Sequence, residues 1–134
     1  MIRKFHEAKA GSLRGQRQPV KLWGTGTALR EFLHVDDLAR AACDLMMAGQ
    51  SGLFNVGSGE ELSIRELARR VAEVVGYDGP VEWDSTRPDG TPRKLLDSSK
   101  VRATGWAPRI GLVSGLKQTY EWYLASKPGA LGLP

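Results

Sequence analysis

The spacing of apolar positions changes several times along the 134-residue chain, and each change marks an element. Ile2, Phe5 and Ala8 recur at helical spacing with Arg3, Lys4, Glu7 and Lys9 between them, which predicts the last turns of an amphipathic helix cut off at its start. Gly11 to Gln18 reads as a polar, glycine-bearing connection. Val20 to Trp23 is a short strand that runs into a tight turn at Gly24-Thr25-Gly26. A second extended segment, Arg30 to Val35, ends at Asp36-Asp37, either of which can cap a helix from about Leu38 to Met47 with apolar positions Leu38, Ala41, Ala42, Leu45 and Met46. Leu53 to Val56 reads as a short buried strand before Gly57-Ser58-Gly59. Ser63 with Glu66 forms a capping-box pattern, and Ile64, Leu67, Ala68, Val71, Val74 and Val75 then line one helical face until Gly76 ends it. Val81 to Trp83 is a brief strand, Asp97 caps a short helix stopped by Gly105, and a last helix spans about Leu112 to Ala125. Short strands alternating with helices predict an α/β or α+β layer arrangement.

Composition narrows the class. A hydrophobic share of 41% in 134 residues suits one small domain with a core of its own. The formal charge of +4 is spread along the chain and suits a small anionic ligand as well as any nucleic acid. No basic run with interleaved aromatics points to nucleic acid, and no apolar run is long enough for a membrane span. The single cysteine, Cys43, cannot make an internal disulfide and reads as a small packed residue, so a soluble, cytoplasmic chain is expected.

Catalytic constellations are absent from the pattern. Neither Gly24-Thr25-Gly26 nor Gly57-Ser58-Gly59 has the third glycine and later acidic residue of a dinucleotide cradle. Tyr123 and Lys127 have the spacing of a dehydrogenase pair, yet Tyr123 fits an apolar stripe and Pro128 ends the helix directly after Lys127. His6 lies on a polar helix face without a paired acid, and His34 alternates with Leu33 and Val35 beside a helix cap. Two distant histidines and one cysteine give no metal-ligand spacing.

The segment from Arg87 to Asp97 is different. Pro88 and Pro92 fix φ and lack N–H groups, and Asp89-Gly90 favours a turn, so a stiff, irregular loop is expected rather than a regular element. Asp89 offers an acceptor for sugar hydroxyls or a base edge, and Arg93 and Lys94 offer donors of the kind that hold phosphate. A solvated surface loop with a Pro-Asp-Gly turn explains the same residues. The wording Pro-Asp-Gly-Thr-Pro-Arg-Lys-Leu-Leu-Asp at 88 to 97 resembles the C-terminal signature of the GDP-L-fucose synthase family, extended short-chain dehydrogenases/reductases. The stretches at 23 to 39 (Trp-Gly-Thr-Gly-Thr-Ala-Leu-Arg-Glu-Phe-Leu-His-Val-Asp-Asp-Leu-Ala), 54 to 59 and 63 to 68 follow in the family's order.

That resemblance runs from Met1 to about Leu124 and covers the second half of such an enzyme. It implies a small α/β C-terminal substrate-binding lobe over residues 1–126, a flexible tail over 127–134, and a Rossmann half that is missing here together with the catalytic serine, tyrosine and lysine. The implied parent reaction is epimerisation and NADPH-dependent reduction of GDP-4-keto-6-deoxy-D-mannose to GDP-L-fucose. NADP(H) would be the parent's cofactor, with no tight binding expected of this chain, and the parent would be a homodimer. By the same resemblance Trp23 packs against the GDP-sugar, Arg30 pairs with its diphosphate, Asp89 takes ribose or base hydrogen bonds and Lys94 approaches the diphosphate or base. Lys4 stands where many members carry arginine, and lysine cannot make the bidentate fork that arginine can. The alternatives are a domain for another nucleotide sugar (dTDP- or UDP-linked), a free-standing non-catalytic binding module, and, more remotely, a nucleic-acid binder.

Overall fold

A computed structural model describes residues 1–16 and 18–126. The described residues form five helices, α1 (Ile2–Leu13), α2 (Val35–Met47), α3 (Ile64–Val75), α4 (Ser99–Arg102) and α5 (Leu112–Ala125), and five short strands, β1 (Val20–Trp23), β2 (Leu29–Glu31), β3 (Glu61–Ser63), β4 (Val81–Asp84) and β5 (Arg93–Lys94), in the order α1-β1-β2-α2-β3-α3-β4-β5-α4-α5. β1 and β4 form a parallel pair in the register Val20↔Val81 to Trp23↔Asp84. β2 lies between β3, antiparallel, and β5, parallel.

The main core forms where α1, α3 and α5 pack together beside β1. Phe5, Val20, Leu22, Leu67, Ala68, Val71, Val75 and Tyr77 are buried there. The alternation of β1 supplies two of these eight, since Val20 and Leu22 point inward and Lys21 and Trp23 outward. The apolar stripe of α3 supplies four more, and full burial of side chains such as Val71 and Val75 stabilises by about 1.5–3 kcal/mol each. Tyr77 ties the strand entries together, its hydroxyl lying 3.1 Å from the carbonyls of both Gln18 and Pro80. Lys9 of α1 donates to the Val75 carbonyl at 2.7 Å, closing the end of α3 where Gly76 turns the chain at φ 73°. A second, smaller core gathers Ala41, Val101 and Trp106, with Leu33, Leu45, Phe54 and Val56 against it.

Several sequence expectations need correction. α1 continues through Gly11 to Leu13, so the connection begins only at Arg14. The extended segment from Arg30 stops at Glu31, and α2 starts at Val35 because His34, not Asp36 or Asp37, is its cap: His34 Nδ1 accepts from the Asp36 N–H at 3.3 Å. Asp37 is instead 2% exposed, and its Oδ2 accepts from the backbone N–H groups of Arg109 and Ile110 at 2.9 and 2.8 Å. Residues 53–56 form no strand, Leu53 is 84% exposed, and its carbonyl accepts from Lys100 Nζ. Half of the capping box forms, since Ser63 Oγ accepts from the Glu66 N–H while the Glu66 carboxylate takes Arg69 and Arg70. The proposed tail and Lys127 lie outside the described residues. Among those residues no helix is long and apolar enough to cross a membrane, and no group of three metal-ligating side chains occurs.

Candidate functional site

Because β1 and β4 run parallel, their C-terminal ends lie side by side, and the segments that leave them share one edge of the molecule. Ends of parallel strands are where α/β folds collect ligands. The Gly24 N–H donates to the Asp84 carbonyl at 2.9 Å, locking the turn at 24–27 to the loop at 85–92. Asp89 closes the joint: its Oδ1 accepts from the Thr25 N–H at 2.8 Å and its Oδ2 from the Thr25 hydroxyl at 2.6 Å. The Thr25 hydroxyl and then the Thr25 N–H hold the Asp89 carboxyl below its ordinary value, so it is ionised at neutral pH. Gly24 is required for this approach, because its φ is 75° and a Cβ there would collide with the Asp89 carboxylate. From the other side Arg65 of α3 donates to the Thr25 carbonyl at 2.5 Å and lies 4.6 Å over the Trp83 ring.

On this frame the five residues expected from sequence separate into four and one. Trp23, 70% exposed, stands at the end of β1 with the Arg87 guanidinium 5.4 Å from its ring centroid. Arg87 is held in turn by Asp84, Nε to Oδ2 3.8 Å, and Asp84 is the register partner of Trp23. Arg30 is half-buried and reaches the same loop: its Nη2 lies 3.2 Å from where a Cβ on Gly90 would be. Lys94 is the register partner of Arg30 across β2 and β5, so two cations adjoin, and among the described residues neither makes an ion pair. Lys4 stands apart, its Nζ donating to the Lys21 carbonyl at 3.0 Å on the outer side of β1.

Two parts of the loop differ from expectation. Arg93 and Lys94 form a regular strand, β5, rather than irregular chain. Arg93 is not available to an anion, because its Nε and Nη2 donate to the Glu61 carboxylate at 2.8 and 2.7 Å, a fork that ties β5 to β3 across β2. Sequence reasoning missed Thr25, Arg87 and Arg65. Thr25 was visible only as the centre of a glycine turn, and Arg87 only as the first residue of the loop.

The glycine turns do not fit a dinucleotide. The space at Gly24 and Gly26 is taken by Asp89 and the Trp83 ring, and Gly57 lies against the Glu31 carboxylate. Glu31 is the anion of that second turn: its Oε2 accepts from the Gly59 N–H at 3.0 Å and its Oε1 from the Leu96 N–H at 2.7 Å.

The profile of the NAD dependent epimerase/dehydratase family matches residues 1–57. GDP-L-fucose synthase 1 of Arabidopsis thaliana is 56% identical over 126 residues, 92% of this chain and 38% of the relative. The GDP-L-fucose synthase of Escherichia coli K12 is 46% identical over 138 residues, 95% of this chain and 41% of the relative. Among solved structures, a GDP-mannoheptose C4 reductase of Campylobacter jejuni with NADP bound superposes with a TM-score of 0.77 at 36% identity, over 92% of this chain and 43% of that one. The chain thus spans about two fifths of the length of the curated relatives it matches.

Proposed function

We propose that the chain, which the NAD dependent epimerase/dehydratase profile matches over residues 1–57 and which resembles part of the GDP-L-fucose synthases, holds the GDP-sugar substrate of such an enzyme. The observation that carries this reading is the parallel β1–β4 edge, which sets an exposed Trp23 beside the loop that Arg30 and Lys94 flank. Trp23 offers a flat face to the nucleotide, Arg30 and Lys94 offer charge-assisted donors to the diphosphate, and the Asp89 oxygens keep acceptor capacity for a ribose or base donor beyond their bonds to Thr25. Lys4 would add positive charge from the outer side of β1 only by leaving the Lys21 carbonyl. The parent activity would be the NADPH-dependent conversion of GDP-4-keto-6-deoxy-D-mannose to GDP-L-fucose by a homodimer. No catalytic step is assigned to any residue of this chain, and none is routed through NADP(H), which its glycine turns do not fit.

Titration with GDP tests the reading. One or two cations in contact with water hold a diphosphate weakly, so a dissociation constant on the order of millimolar, rising with salt, is expected. Trp23 fluorescence should change on binding. Arg30→Ala should remove detectable binding, while Arg14→Ala, at the end of α1, should leave it unchanged. Binding of UDP or dTDP as tightly as GDP would shift the reading to another nucleotide sugar. A GDP response unaltered by Arg30→Ala would refute the site.

A further inference from the structure

We propose that Arg65, in the first turn of α3, is a positioning residue of the nucleotide site: without touching the ligand it fixes Thr25, and through Thr25 it seats Asp89 and the loop at 85–92. This role rests on the substrate-holding reading above and assigns to the site a residue from outside its own edge. The first N–H groups of a helix have no partner within the helix. In α3 the Ser63 hydroxyl accepts from that of Glu66, while those of Ile64 and Arg65 donate to the Ala28 and Gly26 carbonyls at 3.0 and 2.8 Å. The turn that carries Thr25 therefore lies across the start of the helix whose Leu67, Ala68, Val71 and Val75 are buried in the main core.

The Arg65 side chain completes that attachment. Its Nη2 donates to the Thr25 carbonyl at 2.5 Å, and its guanidinium lies 4.6 Å from the centroid of the Trp83 ring on β4. A planar cation stacked on an indole keeps its donors aimed, which a flexible ammonium does not. The turn meets the same ring: Gly26 has a φ of 76°, and a Cβ there would come within 2.5 Å of Trp83. Thr25 thus receives Arg65 at its carbonyl and gives its own N–H and hydroxyl to the Asp89 carboxylate, at 2.8 and 2.6 Å. A hydrogen-bonded path runs from the core helix to the ligand loop. A loop already seated before the ligand arrives loses less freedom on binding, and that is what Arg65 contributes.

The test uses the whole chain, with GDP as the probe. Arg65→Met keeps an apolar stem on Trp83 and removes the donors. It should weaken GDP binding about fivefold with its salt dependence unchanged, and in the unliganded chain it should move the amide resonances of Asp89 and Gly90, on the far side of Thr25. Because Arg65 is exposed, the melting midpoint should fall by no more than about 3 °C. Thr25→Val should weaken GDP binding by a similar factor, and the double variant should lose about fivefold rather than about twenty-fivefold, since both changes release the same joint. A flattened salt dependence would make Arg65 a direct contact to the diphosphate and overturn the proposal. Losses that multiply, unmoved loop resonances or a larger fall in the melting midpoint would overturn it as well. A wild-type chain that gives no response to GDP would refute the substrate reading and this role with it, whereas equal GDP binding by all four proteins would refute this role alone.

Discussion

Three carboxylates show how single residues organise this molecule. Asp37, Asp89 and Glu31 each accept hydrogen bonds from a segment distant in sequence: 109–110, the turn at Thr25, and the pair Gly59 and Leu96. Asp37 is the buried one. Burial works against its charge, yet the Ile110 N–H, the Arg40 guanidinium and the Arg109 N–H together outweigh that effect and hold its carboxyl below the ordinary value. Asp37→Ala leaves two backbone donors without their acceptor and takes one of three from Arg40, and should cost about 2–3 kcal/mol in urea unfolding, with Asp37→Asn costing less. The folded-state value is the lower one, so the contribution is complete above the unfolded carboxylate value of about 3.9 and is lost as pH falls through the folded value. Unfolding measured from pH 5 downward should therefore show wild type and Asp37→Asn converging in acid. Parallel curves throughout would remove Asp37 from this role.

Elements differ in how far their own residues dictate them. α3 is locally complete, with a serine cap, an unbroken apolar stripe and a left-handed glycine, and its observed bounds are those the sequence predicts. Ser63→Ala should therefore cost about 1 kcal/mol with no change in the fold, read as a shift in the denaturant midpoint at constant slope. β1 and α5 were equally legible, from strict alternation in one and helical spacing in the other. The errors fall where a distant partner decides. Asp36 and Asp37 are better caps than histidine by type, but Asp37 is drawn to residues 109–110, and His34 takes the cap. Residues 53–56 have the apolar run of a strand, but no strand pairs with them, and Lys100 takes the Leu53 carbonyl while its Nζ lies 4.0 Å from the Phe54 ring centroid. β5 exists only because β2 lies beside it. The proposed site follows the same rule: its residue types were legible, but the meeting of Trp23 with the loop at 85–92 depends on a parallel pairing of strands about sixty residues apart, which local pattern cannot specify.

At the scale of the whole molecule, the chain divides its polar groups between building one edge and presenting it. Asp89, Arg93, Glu61 and Arg65 are engaged in holding loops, which leaves Trp23, Arg30 and Lys94 for the recognition proposed above. Both glycine turns that might have held a dinucleotide hold side chains of the chain itself, Asp89 and Trp83 at one and Glu31 at the other. Tyr123 belongs to an aromatic cluster with His6 and Tyr120, whose hydroxyl lies 3.0 Å from His6 Nδ1, and this packing supports α1 against α5 rather than presenting a phenol to a ligand. Recognition without chemistry is therefore expected of these 134 residues by themselves. The purified chain, mixed with NADPH and the 4-keto sugar nucleotide, should show no NADPH oxidation above a boiled control, while GDP still perturbs the fluorescence of Trp23. Oxidation above that control would mean that the chain carries a cofactor site and a proton donor outside the geometry described, and would displace the substrate-holding role proposed for it.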